Sequence, residues 1–204
     1  MTGSGSLRLL HCRSSGPAFD ERLRTTVVPR LGAMPGSQRV WAARQGLDEM
    51  GLRLLASTWE SAEAMRLALE AAAAQTNPEI DAGISQPRVE VYPILIEVVD
   101  PGSLDTGILR LARGVLRDVE PARYAERVID GFEADRQGGH GPNALVLAQV
   151  DEREFVTVTV WPDWQHVEVA TGASIRDPIR TKRGADLVSF VAEHYELLAD
   201  LTRS

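Results

Sequence analysis

The residue types best suited to chemistry stand together near the end of the chain, where His194, Tyr195 and Glu196 are adjacent. Because side chains alternate between the two faces of a strand, His194 and Glu196 would share one face and Tyr195 would take the other. A histidine beside a carboxylate can act as an oriented general base, since imidazole titrates near neutral pH. The same pair could hold two positions of a metal site, but the spacing supplies no third ligand. We predict His194 and Tyr195 as catalytic residues, Glu196 as a ligand contact, and no metal.

Further polar candidates lie in an N-terminal strand and in a later loop. His11 could deprotonate a phenol or a carbon acid if it faced a cavity, and its alternative role is a hydrogen bond at a sheet edge. Arg113 takes the corresponding place 102 residues later. His140 and Asn143 flank a Gly-Pro pair in a glycine-rich loop, where they could contact a substrate or form a solvated turn. We predict His11 as a third catalytic residue and the other three as substrate contacts.

Aromatic and basic residues supply the walls and the cover that a pocket needs. Trp41, Trp59 and Trp161 stand in strands or at strand ends and could line a pocket for an aromatic ligand, although large aromatic residues also fill cores. The basic residues between positions 176 and 183 could form a lid that clamps an anionic substrate, or they could be a solvated loop.

The elements that must position these residues come in two copies. Leu7-Arg8-Leu9 recurs as Leu109-Arg110-Leu111 and Trp59 recurs as Trp161, both at an offset of 102 residues. Two copies of one supersecondary unit usually bury their open faces against each other. We therefore predict a first repeat at residues 1–100 and a second at residues 101–204.

Each copy has the pattern β-α-β-β-α-β. In the first copy, strands are predicted at 7–13, 39–44, 52–58 and 88–99, with helices from Pro17 and at 62–75. The first helix carries apolar residues every fourth position from Phe19 to Leu31, and Pro29 should bend or end it. In the second copy, strands are predicted at 108–116, 144–150, 154–160 and 188–198, with helices from Pro121 and after Asp163.

This order predicts an α+β fold. Two ferredoxin-like units with antiparallel sheets would form an intrachain pseudo-dimeric α/β barrel, because each sheet has one face that its own helices leave uncovered. The segment 173–184 has no equivalent in the first copy and is predicted as an insertion before the last strand.

Composition excludes several classes of function. The 204 residues are 44% hydrophobic, as in soluble globular proteins, and no apolar run approaches the roughly 20 residues of a membrane span. The N-terminus does not resemble a secretory signal, so a cytoplasmic location is expected. A net charge of −7 argues against a nucleic-acid partner. The single cysteine, Cys12, excludes an intrachain disulfide and is expected to be a buried thiol.

Two stretches resemble a known family. Residues 54–64, Leu-Leu-Ala-Ser-Thr-Trp-Glu-Ser-Ala-Glu-Ala, are similar to the third strand and second helix of antibiotic-biosynthesis-monooxygenase-like domains. Residues 155–164 take that place in the second copy, and His194-Tyr195-Glu196 is similar to the family's usual ending. The resemblance implies the dimeric α/β-barrel superfamily as a tandem repeat, with a cavity between sheet and helices. Members include cofactor-independent oxygenases of polycyclic phenols, isomerases and haem-degrading enzymes.

The resemblance does not extend to haem. Haem-degrading relatives carry a ligand histidine on the second helix, about ten residues beyond the tryptophan. Glu70 and Thr171 stand at that distance here, and His166 lies only five residues beyond Trp161. We therefore predict no cofactor.

Two hypotheses about function remain. The first is a cofactor-independent monooxygenase in which an aromatic or phenolic substrate is deprotonated and reacts with oxygen in a dry pocket, with His194, Tyr195 or His11 handling the proton. The second is a non-catalytic ligand-binding or assembly module. Both predict a small-molecule ligand, neither nucleic acid nor membrane as a partner, and a chain that is a monomer with an internal pseudo-dimer or a homodimer.

Overall fold

The structure is a computed structural model that describes residues 5–13, 16–45, 51–74, 83–84, 87–100, 104 and 106–202. These residues form two compact units. The first unit comprises the described residues within 4–93, 101–106 and 195–204, and the second comprises residues 94–100 and 107–194. The predicted boundary between repeats at residue 100 stays a prediction. The compact units do not change there, because one part of each of two long strands belongs to the first unit and the other part to the second. In the described part of the chain, every helix is too short or too polar to cross a bilayer.

The first unit consists of an antiparallel sheet and helices. Its elements are β1 (Ser6–Arg13), α1 (Pro17–Arg22), α2 (Val28–Gly32), β2 (Ser37–Arg44), β3 (Leu52–Trp59) and α3 (Ala62–Ala73). Two further strands contribute one part each, the beginning of β4 (Arg88–Val99) and the end of β8 (Leu187–Thr202). The strand order is β4-β1-β3-β2-β8.

The predicted apolar stripe of the first helix is confirmed, but Pro29 does not end the helix. Phe19, Leu23, Val27 and Leu31 are all buried in the core of the first unit. A π-helical turn, Leu23–Val27, joins α1 to α2. The ring of a proline clashes with the carbonyl four residues earlier, and the wider π-helical turn lies at that position, so the chain stays helical beyond Pro29.

The second unit repeats this plan. Its elements are β5 (Ile108–Leu116), α4 (Pro121–Gln137), β6 (Ala144–Gln149), β7 (Glu154–Trp161), α5 (Trp164–Thr171) and a 3-10 turn (Gly184–Asp186). The end of β4 and the beginning of β8 complete it, and the strand order is β4-β6-β7-β5-β8. The prediction of an α+β chain built from two ferredoxin-like units with antiparallel sheets is confirmed.

Local signals place the helices of the second unit. Pro121 occupies the first turn of α4, where its missing N–H costs nothing. The side chain of Asp163 accepts a hydrogen bond from the backbone N–H of His166 at 3.0 Å and begins α5. Gly172 ends that helix with φ of 72°, a left-handed conformation that favours glycine.

The two units share equivalent individual hydrogen bonds. The indole N–H of Trp59 donates to the hydroxyl of Ser57 at 2.8 Å, and that of Trp161 donates to the hydroxyl of Thr159 at 2.8 Å. Each tryptophan thereby keeps its polar atom satisfied at the end of a strand. The hydroxyl residue two positions before the tryptophan therefore has the same structural role in both units.

Candidate functional site

A cavity of about 90 Å³ lies within the second unit. Strands β5 to β8 and helix α4 supply most of its wall. The end of α5 and residues from the segment 173–184 complete it. Its apolar wall includes Ala112, Val128, Phe132, Pro142, Leu145, Phe155, Trp161, Ala170 and Phe190. The polar residues from the sheet and α4 are Arg110, Tyr124, Thr157, Thr159 and Asp135. An apolar enclosure with a few convergent polar groups is typical of a small-molecule site.

Arg110 is the unusual member of this wall. It lies on β5 and is only 7% exposed, yet none of the described carboxylates forms an ion pair with it. Its Nη2 donates to the backbone carbonyl of Arg180 at 2.6 Å, and its guanidinium lies 5.4 Å from the centre of the Phe190 ring. Its buried Nε has no hydrogen-bond partner among the described residues. Burial lowers the pKa of Arg110 to about 10, so the group remains charged at neutral pH.

Tyr124 contributes a neutral hydroxyl to the same cavity. It lies on α4, is 4% exposed, and its ring stacks against Phe155 with 4.8 Å between ring centres. Burial raises the pKa of its phenol to about 12, and the cations Arg183 and Arg110 only partly oppose that effect. The phenol therefore stays protonated and can donate a hydrogen bond to a bound group.

Residues 173–184, which we call the strap, cover one side of the cavity. Thr181, Lys182 and Arg183 line it. The strap is attached to α4 by the ion pair between Lys182 and Asp135, at 3.0 Å, and by a hydrogen bond from Arg183 to the carbonyl of Arg127, at 2.7 Å. A strap held over the cavity in this way is compatible with the lid predicted from the basic residues between positions 176 and 183.

Gly131 of α4 makes room for that attachment. A Cβ atom at this position would lie 1.7 Å from Nη2 of Arg183, so any other residue would displace the guanidinium. Gly138, at the end of the same helix, is a matched control, because a Cβ there would meet backbone oxygens at an ordinary 3.5 Å.

We expect Gly131→Ala to be less stable than Gly138→Ala by about 1 kcal/mol, because the new methyl group displaces the guanidinium of Arg183 from the carbonyl of Arg127 and costs one hydrogen bond. Gly138→Ala should be neutral or slightly stabilising, because alanine has the higher helix propensity. Urea unfolding of both variants tests this. A Gly131→Ala variant as stable as Gly138→Ala would mean that Arg183 does not hold the strap.

His194 lies on β8 in the same unit. Its ring makes an edge contact with Trp164, with 4.6 Å between ring centres. Its buried Nε2 has no hydrogen-bond partner among the described residues. Burial, assisted by the positive charge of Arg110, lowers the pKa of His194 to about 4. The imidazole is therefore neutral at neutral pH and able to accept a proton, although it is not one of the wall residues of the cavity.

The lowered pKa makes stability depend on pH. The folded imidazole takes up its proton only near pH 4, whereas the unfolded one does so near 6.5, so stability is lost as the pH falls through this range. We expect the loss to be about 1–2 kcal/mol, after allowance for the part of the ring that meets water. Urea unfolding between neutral pH and pH 4 should give a smaller loss for His194→Gln than for the wild type. His140→Gln, at an exposed histidine, should behave like the wild type, and equal losses for all three proteins would contradict the prediction.

Three other predicted contacts of the second unit lie away from the cavity wall. His140 is exposed, with its ring 6.0 Å from that of His166. Asn143 uses its backbone, accepting from the N–H of Asp100 at 2.8 Å. Arg113 is partly buried on β5. Trp161 is the predicted site residue that does line the cavity.

The remaining predicted residues belong to the first unit, where packing and ion pairs occupy them. Trp41 and Trp59 are fully buried, and Tyr195 is buried as well. His11 lies 3.3 Å from a carboxylate oxygen of Glu90 on the neighbouring strand β4.

Glu196 also has a partner in the first unit. It is exposed and pairs with Arg44 of β2 at 2.7 Å. Hydrogen bonding to Glu196 is the main cause of the raised pKa of Arg44. The roles predicted for Glu196 and for the residues above stay predictions.

Arg110 and Tyr124 are not among the predicted site residues. One signal could have found the arginine, because it stands between two leucines of a predicted strand, in the Leu-Arg-Leu segment that both copies contain. Tyr124 lies in the helix predicted from Pro121, where an aromatic residue is equally expected in the core.

The cavity does not fit haem. Its volume of about 90 Å³ is well below the roughly 300–1,000 Å³ of ordinary ligand pockets. Thr171 lines the cavity, but its hydroxyl donates to the carbonyl of Val167 at 2.7 Å. Among the described residues, no three metal-ligating side chains converge.

Comparisons with known proteins reveal the fold. No protein-family model and no curated protein matches the sequence. A proposed monooxygenase from Fusobacterium nucleatum is similar in structure, with a TM-score of 0.76 and 11% identity over 100% of this chain and 97% of that one. A proposed monooxygenase from Lactobacillus acidophilus has a TM-score of 0.72 and 9% identity over 98% of this chain and 96% of that one. A Listeria monocytogenes ferredoxin-fold protein related to antibiotic biosynthesis monooxygenases has a TM-score of 0.50 and 10% identity over 96% of both chains. At such identities the likeness shows a shared fold, which confirms the resemblance at that level.

Proposed function

We propose that the second unit holds the oxygen-bearing end of a small molecule in its cavity, with the rest of the molecule outside it, and that the chain is a cofactor-independent monooxygenase acting on an aromatic phenol. The observation that carries this proposal is the buried guanidinium of Arg110, which faces the cavity without a carboxylate partner in the described part of the chain. Burying a charge is costly unless an opposite charge compensates it, so an anionic ligand group is the natural partner.

The same arrangement suits the deprotonation of a phenol. In a low-dielectric cavity, the positive charge of Arg110 stabilises a phenolate much more strongly than it would in water. The neutral hydroxyl of Tyr124 can donate a second hydrogen bond to the phenolate oxygen. Together they favour the ionised form of the substrate, the form that reacts with oxygen.

The reaction balances without a further reductant for an anthrone-type substrate, in which a ring methylene becomes a carbonyl. The substrate carbon loses two hydrogens and four electrons to molecular oxygen. One oxygen atom forms the new carbonyl, and the other leaves as water with the two hydrogens. We propose His194 as the proton acceptor, because its buried Nε2 has no hydrogen-bond partner among the described residues. The ring lies outside the cavity wall, so the proton reaches it through a bridging water.

The alternative is a binding module without chemistry. One observation favours it, since the pKa values of Arg110, about 10, and Tyr124, about 12, leave both groups protonated at neutral pH. A catalytic cavity usually contains at least one group that exchanges protons at working pH.

Aerobic incubation with anthrone tests the proposal, with oxygen uptake and the absorbance of the quinone as readouts. We expect the wild type to accelerate both, and His194→Gln to reduce the rate by roughly 10²-fold or more, as for loss of a general base. Quenching of tryptophan fluorescence measures binding. If anthrone binds but is not oxidised faster than in buffer, the alternative of a non-catalytic binding module is correct. If neither binding nor acceleration occurs, both functions are wrong.

A further inference from the structure

An open groove of about 480 Å³ lies beside the cavity in the second unit. The two share three wall residues, Thr171, Thr181 and Phe190. The groove adds the buried Leu187 and two exposed apolar side chains, Ile179 of the strap and Val188 of β8, which are 51% and 60% exposed. Large aliphatic side chains this exposed lose contact with water when an apolar molecule covers them.

Arg180 of the strap connects the groove to the cavity. This residue lines the groove, and its carbonyl accepts the hydrogen bond at 2.6 Å from Arg110, which lines the cavity. Its side chain points to another partner, Asp177, at 2.6 Å. A neutral carbonyl is a weaker partner for a guanidinium than a carboxylate or phenolate, which makes shorter, charge-assisted bonds. An anion can therefore displace the Arg180 carbonyl from Arg110.

The volumes indicate what kind of anion this is. The cavity alone, at about 90 Å³, accepts little more than an anionic group. The groove, at about 480 Å³, falls within the roughly 300–1,000 Å³ range of ordinary ligand pockets. A ligand that fills both has a compact charged end and a larger apolar body.

We propose that the ligand is an amphipathic organic anion, whose acidic group replaces the Arg180 carbonyl on Arg110 and whose apolar body lies along the groove against Ile179 and Val188. This inference rests on the proposed function only in taking the cavity to be a ligand site. The strap then acts as a specificity element, because its residue Arg180 connects the two parts of the site. Its later end stays on α4 through Lys182 and Arg183.

Four probes test the two parts of this ligand, with dissociation constants from calorimetry on the full chain. They are 2-naphthoate, the uncharged 2-naphthamide, acetate, and 4-nitrophenolate at mildly alkaline pH. We expect 2-naphthoate to bind at least 10-fold more tightly than both 2-naphthamide and acetate. Comparison of 2-naphthoate with 4-nitrophenolate identifies whether the carboxylate or the phenolate is preferred.

Two double variants separate the groove from the rest of the surface. Ile179→Ser with Val188→Ser should weaken 2-naphthoate about 10-fold and leave acetate unchanged, since only the rings use the groove. Ile175→Ser with Val169→Ser removes two comparably exposed aliphatic side chains outside the groove and should change neither affinity. All four positions are exposed, so both variants should fold.

The outcomes distinguish this inference from the proposed function. If 2-naphthamide binds as tightly as 2-naphthoate, the anionic end is wrong, although the site still binds small molecules. If acetate binds as tightly as 2-naphthoate, or the two double variants behave alike, the groove is not part of the site. If no probe binds, the proposed function itself fails.

Discussion

Replacement of Arg110 by methionine is expected to weaken the binding of an aromatic anion by roughly 10- to 100-fold, the worth of a charge-assisted hydrogen bond in a buried site. The same substitution should raise the free energy of unfolding of the ligand-free protein by about 1–3 kcal/mol. Methionine fills a similar volume, and it removes a buried charge that no described carboxylate compensates. A gain in stability with a loss of binding is typical of a residue kept for function.

Arg123→Met is the matched control. Arg123 also lies in the second unit, on α4, and it is exposed, so the variant makes the same change in charge without touching the cavity. It should alter neither ligand affinity nor stability beyond about 0.5 kcal/mol. Calorimetric titration with 2-naphthoate and urea unfolding measure both quantities. If Arg110→Met unfolds more easily than the wild type and binds as well, the guanidinium has a structural role only.

Replacement of Asp200 by alanine should have the largest effect on stability in the first unit. Its carboxylate accepts hydrogen bonds from Nε and Nη2 of Arg39, each at 2.9 Å, and the Arg39 and Asp200 side chains are 2% and 0% exposed. It also accepts from the backbone N–H of Leu104 at 3.1 Å. Removing one partner of a buried pair leaves the other charge without its carboxylate, so we expect a loss of about 3–5 kcal/mol.

An exposed ion pair provides the comparison. Glu70→Ala breaks the pair of Glu70 with Arg66 on α3, where both side chains are at least half exposed, and should cost less than about 1 kcal/mol. Replacing both buried partners, Arg39→Met with Asp200→Leu, should cost much less than Asp200→Ala alone, because no charge is left unpaired. Urea unfolding of the four proteins gives the differences. An Asp200→Ala variant that loses no more than Glu70→Ala would show that water compensates Arg39.

Two of the buried arginines, Arg39 and Arg110, illustrate how the same residue type takes different roles. Arg39 lies on β2, and Asp200 satisfies it with a bidentate pair, so its charge is part of the core. Arg110 lies on β5 and has a backbone carbonyl and an aromatic ring as partners. Because Arg39 has a carboxylate partner, its role is structural. Because Arg110 has none in the described part of the chain, it is a candidate for ligand binding.

Much of the fold follows from the sequence, because the signals for it are local. The helix stripe from Phe19 to Leu31 and the cap at Asp163 each depend on residues a few positions apart. The π-helical turn before Pro29 could not be predicted. The clash between a proline ring and the carbonyl four residues earlier can be relieved by bending the helix, by ending it or by adding a residue to one turn.

The site depends on contacts that local rules do not reach. Adjacency in sequence drew attention to His194 and Glu196, but the described partner of Glu196 is Arg44, far away in the chain. Arg110 meets the carbonyl of Arg180 across 70 positions, and Lys182 meets Asp135 across 47.

An α+β chain of two ferredoxin-like units follows from the sequence alone, because periodicity and caps are properties of short segments. The burial of Arg110 beside a cavity, with no described carboxylate paired to it, follows only from the three-dimensional structure, because burial and pairing depend on the packing of distant strands and helices.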